Sequence, residues 1–330
     1  MTTKSEPVEA TLRPKTLLEY VGQTRVIESL RLFIDAVNKR GVVSEHILLY
    51  GPPGIGKTTL ANIVARELQG ELKVTSGPAI EKTSDLASIL TNMKDNDVLF
   101  IDEIHRLPRT IEEALYPVME EFFLDIVIGK GPAARTVRLP IPRFTIIGAT
   151  TRVALLSAPL RDRFGLLLHL DYYNDFDMDK IVRRSASLLK LPIDTDATDE
   201  IVKRSRRTPR VANRALKRVL DMFEVRKHKR ITKDIMNEMF EILQIDHVGL
   251  THLDTKYLEL LIKKFNGGPA GLSTLATGLG EDKQTIEEYI EPYLLQLGFI
   301  SKTPKGRVAQ TSAYSHLKIP LKETSQQRLV

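Results

Sequence analysis

The chain is 330 residues long, carries a formal charge of +6 and contains neither cysteine nor tryptophan. A chain of this length buries a sizeable core and divides into two or three domains; without thiols it has no disulfide framework and no Cys-ligated metal centre, which suits a reducing compartment. The opening MTTKSEPVEA lacks the apolar core of a secretory signal, and no apolar run approaches the ~20 residues of a membrane span, so a soluble, cytoplasmic protein is expected.

The first predicted strand is HILLY, which runs into GPPGIGKTT at residues 51–59 and then into the amphipathic LANIVAREL. A complete GxxxxGK[ST] between strand and helix reads as a P-loop. Gly51, Gly54 and Gly56 let the backbone curl with its N–H groups turned inward, and the helix offers its positive end to polyphosphate. Lys57 is placed to reach the β- and γ-phosphates of ATP, and the Thr58 hydroxyl to bind Mg²⁺, which takes oxygen ligands.

DVLFIDE, residues 97–103, ends in two acids at its carboxyl edge, where open α/β sheets place ligands. Asp102 is expected to hold Mg²⁺ through water, and Glu103 to orient or deprotonate the water that attacks the γ-phosphate. Residues 122–144, FFLDIVIGKGPAARTVRLPIPRF, alternate apolar residues around a Gly-rich turn and read as a projecting hairpin. FTIIGATT, 144–151, is a further strand, whose Thr151, or alternatively Thr150, could hydrogen-bond the lytic water or the γ-phosphate. In SAPLRDRFG, 157–165, Arg161, Asp162 and Arg163 stand close together, either as an arginine supplied to a neighbouring subunit's phosphate or as a surface ion-pair cluster. The alternation of strands and helices predicts a parallel sheet covered by helices.

From about Asp175 the strand signals stop and helical periodicity takes over, predicting a small helical domain. Between Glu200 and Asp234, thirteen Lys/Arg face four Asp/Glu, as a solvated helical face or as a surface for phosphates. RRTPR, 206–210, puts Arg210 just inside a helix after Pro209, from which it could contact phosphate and convert nucleotide state into domain rotation. Beyond QIDHVGL, three helical stretches precede ISKTPKGRVAQTS, two short strand-like runs around a Pro-Lys-Gly turn. This is the winged-helix variation on helix-turn-helix, a module that meets DNA; Lys302 and Arg307 flank the turn TPKG, a shape suited to touching a phosphate backbone. The final LKIPLKETSQQRLV is polar and expected to be a loose tail.

Taken together, GPPGIGKTTLANIVA, LTNMKDNDVLFIDEIHRL, GKGPAARTV, IGATTR, LSAPLRDRFG, TPRVANR and EPYLLQLGFISKTPKGR resemble the bacterial RuvB motor family, AAA+ ATPases that drive Holliday-junction branch migration. The resemblance spans roughly residues 10–315, and GPAARTV and TPKGR discriminate far better than the P-loop. It implies a large AAA+ α/β domain over 1–173, an all-α lid over 174–246 and a winged-helix domain with a polar tail over 247–330. It also implies nucleotide contacts from Leu12, Arg13, Gly54, Gly56, Lys57, Thr58, Thr59 and Tyr173, with Thr151 as first sensor, Arg163 as the arginine finger acting in trans and Arg210 as second sensor. Lys283, Lys302 and Arg307 match positions where the family contacts DNA; Lys in place of Arg keeps the charge and loses the bidentate fork. Implied partners are double-stranded DNA and Holliday junctions, the junction-binding RuvA through the 122–144 hairpin, the resolvase RuvC, and further copies of the chain in a homo-hexamer. Arg207 departs from the family, which commonly has Gly before the TPR.

The expected function is therefore an ATP-driven duplex DNA translocase in homologous recombination and repair. Two alternatives stand beside it: a clamp loader, against which the missing Ser-Arg-Cys finger and the terminal winged helix argue, and a DNA-binding regulator that uses ATP as an assembly switch, against which Glu103 beside Asp102 argues.

Overall fold

In the computed structural model, residues 11–128 and 135–321 are described. The strands of the first half are β1 (Ile47–Tyr50), β2 (Leu72–Ser76), β3 (Val98–Asp102), β4 (Phe123–Ile128), β5 (Arg135–Pro140), β6 (Thr145–Thr150) and β7 (Leu166–His169). Five of them form a parallel sheet in the order β2-β3-β6-β1-β7. The three inner strands are continuous apolar runs, as burial on both faces demands. The outer two, LKVTS and LLLH, are partly exposed and were not among the strands expected from sequence.

Helices Lys57–Glu67, Thr83–Thr91 and Arg109–Glu121 connect and cover the strands. Leu86, Leu90, Ile111, Leu115 and Val118 pack with Leu48, Leu99, Ile101, Ile146 and Phe144 into one core. Because β3, β6 and β1 are neighbours, their carboxyl ends lie side by side, which is where the P-loop and the acidic pair emerge.

β4 and β5 form a separate antiparallel pair, in register from Phe123↔Pro140 to Ile128↔Arg135. These are the arms of the expected 122–144 hairpin; its tip, 129–134, lies outside the described residues. β5 is exposed along nearly its whole length, whereas Leu124 is anchored in the core.

Helices follow at Asp175–Leu188, Thr195–Arg204, Pro209–Arg226 and Lys233–Ile242. The Asn174 side chain caps the first by accepting the Asp177 N–H at 2.7 Å. Compactness gathers the chain up to Pro192 with Arg207–Leu220 into one unit, and Ile193–Arg206 with the residues from Asp221 onward into a second. It thus cuts through the 174–246 block that chain order treats as one domain.

Within the second unit, His252–Glu259, Leu272–Leu279 and the stretch from Lys283 to Gln296 are helical, and β8 (Ile300–Thr303) pairs antiparallel with β9 (Gly306–Ala309). Tyr257, Leu261, Leu275, Ile290, Leu294 and Ile300 form its core. Thr311–His316, just before the expected loose tail, is a helix with Ala313 fully buried, and at the start of the tail itself Leu317 and Ile319 pack on the core. Alternate apolar residues in a polar-looking segment suffice once a core lies beneath them. Residues 322–330 lie outside the described residues.

Candidate functional site

The loop after β1 has Gly54 at φ 78° and Gly56 at φ 111°. A Cβ at Gly54 would meet Arg210 Cβ and Thr208 Cγ2 at 2.9 Å, and one at Gly56 the Tyr20 hydroxyl at 2.4 Å, so both positions require glycine twice over. Lys57 is the first residue of the following helix and only 7% exposed. Its ammonium donates to the carbonyls of Gly51 at 2.8 Å and Pro52 at 2.7 Å. Burial lowers its pKa to about 8, Asp102 opposing the shift and the positive Arg210 adding to it. Thr58 and Thr59 follow on the same first turn, partly exposed.

Asp102 ends β3 and accepts the Glu103 N–H at 3.0 Å. Glu103 has left-handed backbone, φ 47°, and its carboxylate takes a 3.0 Å hydrogen bond from Arg106, a partner that sequence reading did not identify. A non-glycine in this region carries of order 1–3 kcal/mol of strain, the kind of cost found where a side chain is aimed for function. At the end of β6 the two threonines separate. Thr150 is buried, with its hydroxyl on His105 Nδ1 and on the Arg152 N–H, both at 2.9 Å, while Thr151 turns out exposed beside the acidic pair's strand.

Behind the P-loop lies a cleft lined by Leu12, Arg13, Gly56, Thr59 and Tyr173, five of the residues singled out from the resemblance. Its wall also includes Tyr20, whose hydroxyl donates to the Ile55 carbonyl at 3.2 Å and accepts from the Tyr173 hydroxyl at 3.2 Å. Burial pushes Tyr173 up to about 12 and holds Tyr20 well above its ordinary value, so both remain neutral donors. Arg184 donates to the Leu12 carbonyl at 2.8 Å and to Glu19 at 3.0 Å, tying the amino-terminal segment over the cleft. Neither Tyr20 nor Arg184 belongs to a local motif; only their spatial convergence identifies them.

Arg210 is exposed at the start of helix Pro209–Arg226, with its N–H on the Gly54 carbonyl at 3.3 Å. Immediately before it, Arg206 and Arg207 have φ 54° and 52°. The left-handed backbone explains why glycine suits position 207; here Arg207 adopts it, its carbonyl accepting the Tyr173 N–H at 3.1 Å and its guanidinium 3.9 Å from Asp175. Arg163 lies over the Tyr116 ring at 4.2 Å, donates to the Pro159 carbonyl at 2.7 Å and pairs with Glu120 at 3.2 Å, while Arg161 stays near Asp162.

In the second unit, Lys283 is exposed at a helix start capped by Asp282. The wing differs from a simple display of cations. Glu291 is 0% exposed and takes hydrogen bonds from the Tyr257 hydroxyl at 3.1 Å and from Arg307 at 2.7 and 3.2 Å, while Lys302 Nζ lies 2.7 Å away. Burial alone would raise this carboxyl, but the bonds from Arg307 and Lys302 hold it below the usual range. Arg307 therefore turns inward, while Lys302 remains 44% exposed and Lys305, in the turn itself, is exposed.

Three family models together match residues 12–318: the Holliday junction DNA helicase RuvB P-loop domain over 12–170, the RuvB AAA lid domain over 173–246 and the RuvB C-terminal winged helix domain over 247–318. Among solved structures, the chain is similar to a Thermotoga maritima RuvB described as a Holliday junction branch migration motor, at 47% identity and TM-score 0.86, covering 94% of this chain and 100% of that one. A proline-to-glycine mutant of the same protein gives 48% identity and TM-score 0.87 over 94% and 100% of the two chains.

Proposed function

Because this chain belongs to the RuvB family, we propose that it is an ATP hydrolase that moves duplex DNA and so drives branch migration of Holliday junctions in recombination and repair. The observation that carries the reading is the convergence at one sheet edge of Lys57, Asp102, Glu103 and Thr151 in a chain that also ends in a winged helix. The cradle fits a polyphosphate: the positive φ of Gly54 and Gly56 curls the loop ahead of the helix start, and Lys57 rests on two carbonyls it can exchange for phosphate oxygens. Thr58 and Asp102 would hold Mg²⁺, whose charge neutralises the polyphosphate.

Glu103, aimed by its left-handed backbone, accepts a proton from the attacking water once Arg106 releases it, and Thr151 fixes that water's position. Leu12, Arg13, Thr59 and Tyr173 enclose the nucleoside end. Arg210 senses the phosphates, and Arg163, released from Glu120, completes the site of a neighbouring copy in a ring, taken as a hexamer. The β4–β5 hairpin docks on RuvA, with RuvC joining when junctions are resolved, and the wing touches phosphates without reading bases. Work of this kind is done in the cytoplasm.

A labelled synthetic four-way junction incubated with ATP, Mg²⁺ and the junction-binding partner tests the proposal. Partner-dependent conversion into two duplexes is expected, and Glu103→Gln should abolish it while retaining nucleotide binding. ATP hydrolysis with a persistent junction under all partner and salt conditions would refute the motor assignment.

A further inference from the structure

Three ligand-type side chains meet where the winged-helix region begins and where its last helix ends: Asp246, His247 and His316. One ligand atom from each lies within 4.8 Å of the others. His316 Nε2 is 2.7 Å from Asp246 Oδ2, and the His247 and His316 rings stack with centroids 5.0 Å apart and 27° between their planes. Asp246 Oδ1 accepts the N–H groups of Val248 at 3.0 Å and Leu250 at 2.8 Å, so the carboxylate is already oriented by backbone. Phe299 packs against His316, centroids 4.9 Å apart, and fixes that ring as well.

We infer that Asp246, His247 and His316 form a binding site for a single transition-metal ion of the Zn²⁺ class. Two imidazoles and one carboxylate favour Zn²⁺, Co²⁺ or Ni²⁺ over Mg²⁺ or Ca²⁺, and three protein ligands with one water complete a four-coordinate shell. An Asp–His hydrogen bond accounts for two of the residues; it leaves unexplained why a second imidazole stacks over His316 from the position next to Asp246 in the chain. His247 is exposed and needs only a side-chain rotation to bring the ligand atoms to the separation of about 3.4 Å that tetrahedral bonds of about 2.1 Å impose. Backbone support of Asp246 and packing of His316 supply the orienting contacts on which metal affinity depends. Asp246 and His316 are 70 residues apart, so the ion would close a loop containing the whole winged-helix core, a staple formed without cysteine.

The test uses the untagged full chain, stripped of metal and held in excess Mg²⁺ to occupy oxygen-ligand sites, titrated with Zn²⁺ by calorimetry and with Co²⁺ by visible absorption. A single ion per chain should bind, give the intense visible bands of four-coordinate Co²⁺ and raise the thermal midpoint. His247→Ala, at an exposed position, should leave the metal-free midpoint unchanged and weaken binding by roughly 10- to 100-fold or more; Asp246→Asn should weaken it similarly. Absence of saturable binding overturns the inference, as does an affinity unchanged in both variants, which would place the ion elsewhere.

Discussion

Lys57 holds its ammonium against two carbonyls in a buried position, and burial brings its pKa to about 8. A polyphosphate would restore the charged form, so at pH 8 nucleotide binding should take up roughly half a proton, falling towards none as pH drops and the free amine becomes fully protonated. Calorimetry of MgADP binding in buffers of different ionisation enthalpy reads this directly; an uptake independent of pH would contradict it. Arg207 poses a question of strain instead. Its left-handed backbone costs of order 1–3 kcal/mol, part of which Arg207→Gly would relieve while adding glycine's own entropy cost, so the variant should be up to about 1 kcal/mol more stable by thermal midpoint. Residues inside contiguous motifs, such as Lys57 and the Asp102–Glu103 pair, are legible in the sequence because spacing and chemistry coincide. Tyr20 and Arg184 are not, because each acts through a partner far off in the chain that folding alone selects.

Among the elements, the three inner strands announce themselves as unbroken apolar runs, whereas β2 and β7 do not, since an edge strand needs only one well-buried face. The wing gives the clearest divergence between pattern and packing. A turn flanked by Lys302 and Arg307 reads as a pair of outward cations, yet Glu291, four residues on from Glu287 along the same helical stretch, draws Arg307 inward. Nothing periodic marks Glu291 as the acceptor. Removing one partner from a buried pair is costly: Arg307→Ala should destabilise the winged-helix region by about 3–5 kcal/mol, visible as an earlier thermal transition. If the transition is unmoved, Arg307 is a surface contact and not an anchor.

At the scale of the whole molecule, chain order and compactness describe different things: the sequence separates a P-loop region, a helical region and a winged helix, while packing yields two units whose boundaries fall inside the helical region. No span of apolar residues hints at such a cut, because it depends on which helices share a core. The buried carboxylate of the wing also fixes an ion inventory. Two lysine and arginine charges there are already cancelled by Glu291 and Glu287. If the wing meets DNA as proposed, Arg307 would displace few of the counterions condensed on it, and exposed cations such as Lys283 and Lys305 would displace more. A plot of log affinity against log salt should flatten by about 0.9 for Lys305→Ala, measured by fluorescence anisotropy on mixed-sequence duplexes. A conservative Arg307→Lys change, which keeps the charge beside Glu291, should leave that slope where it was.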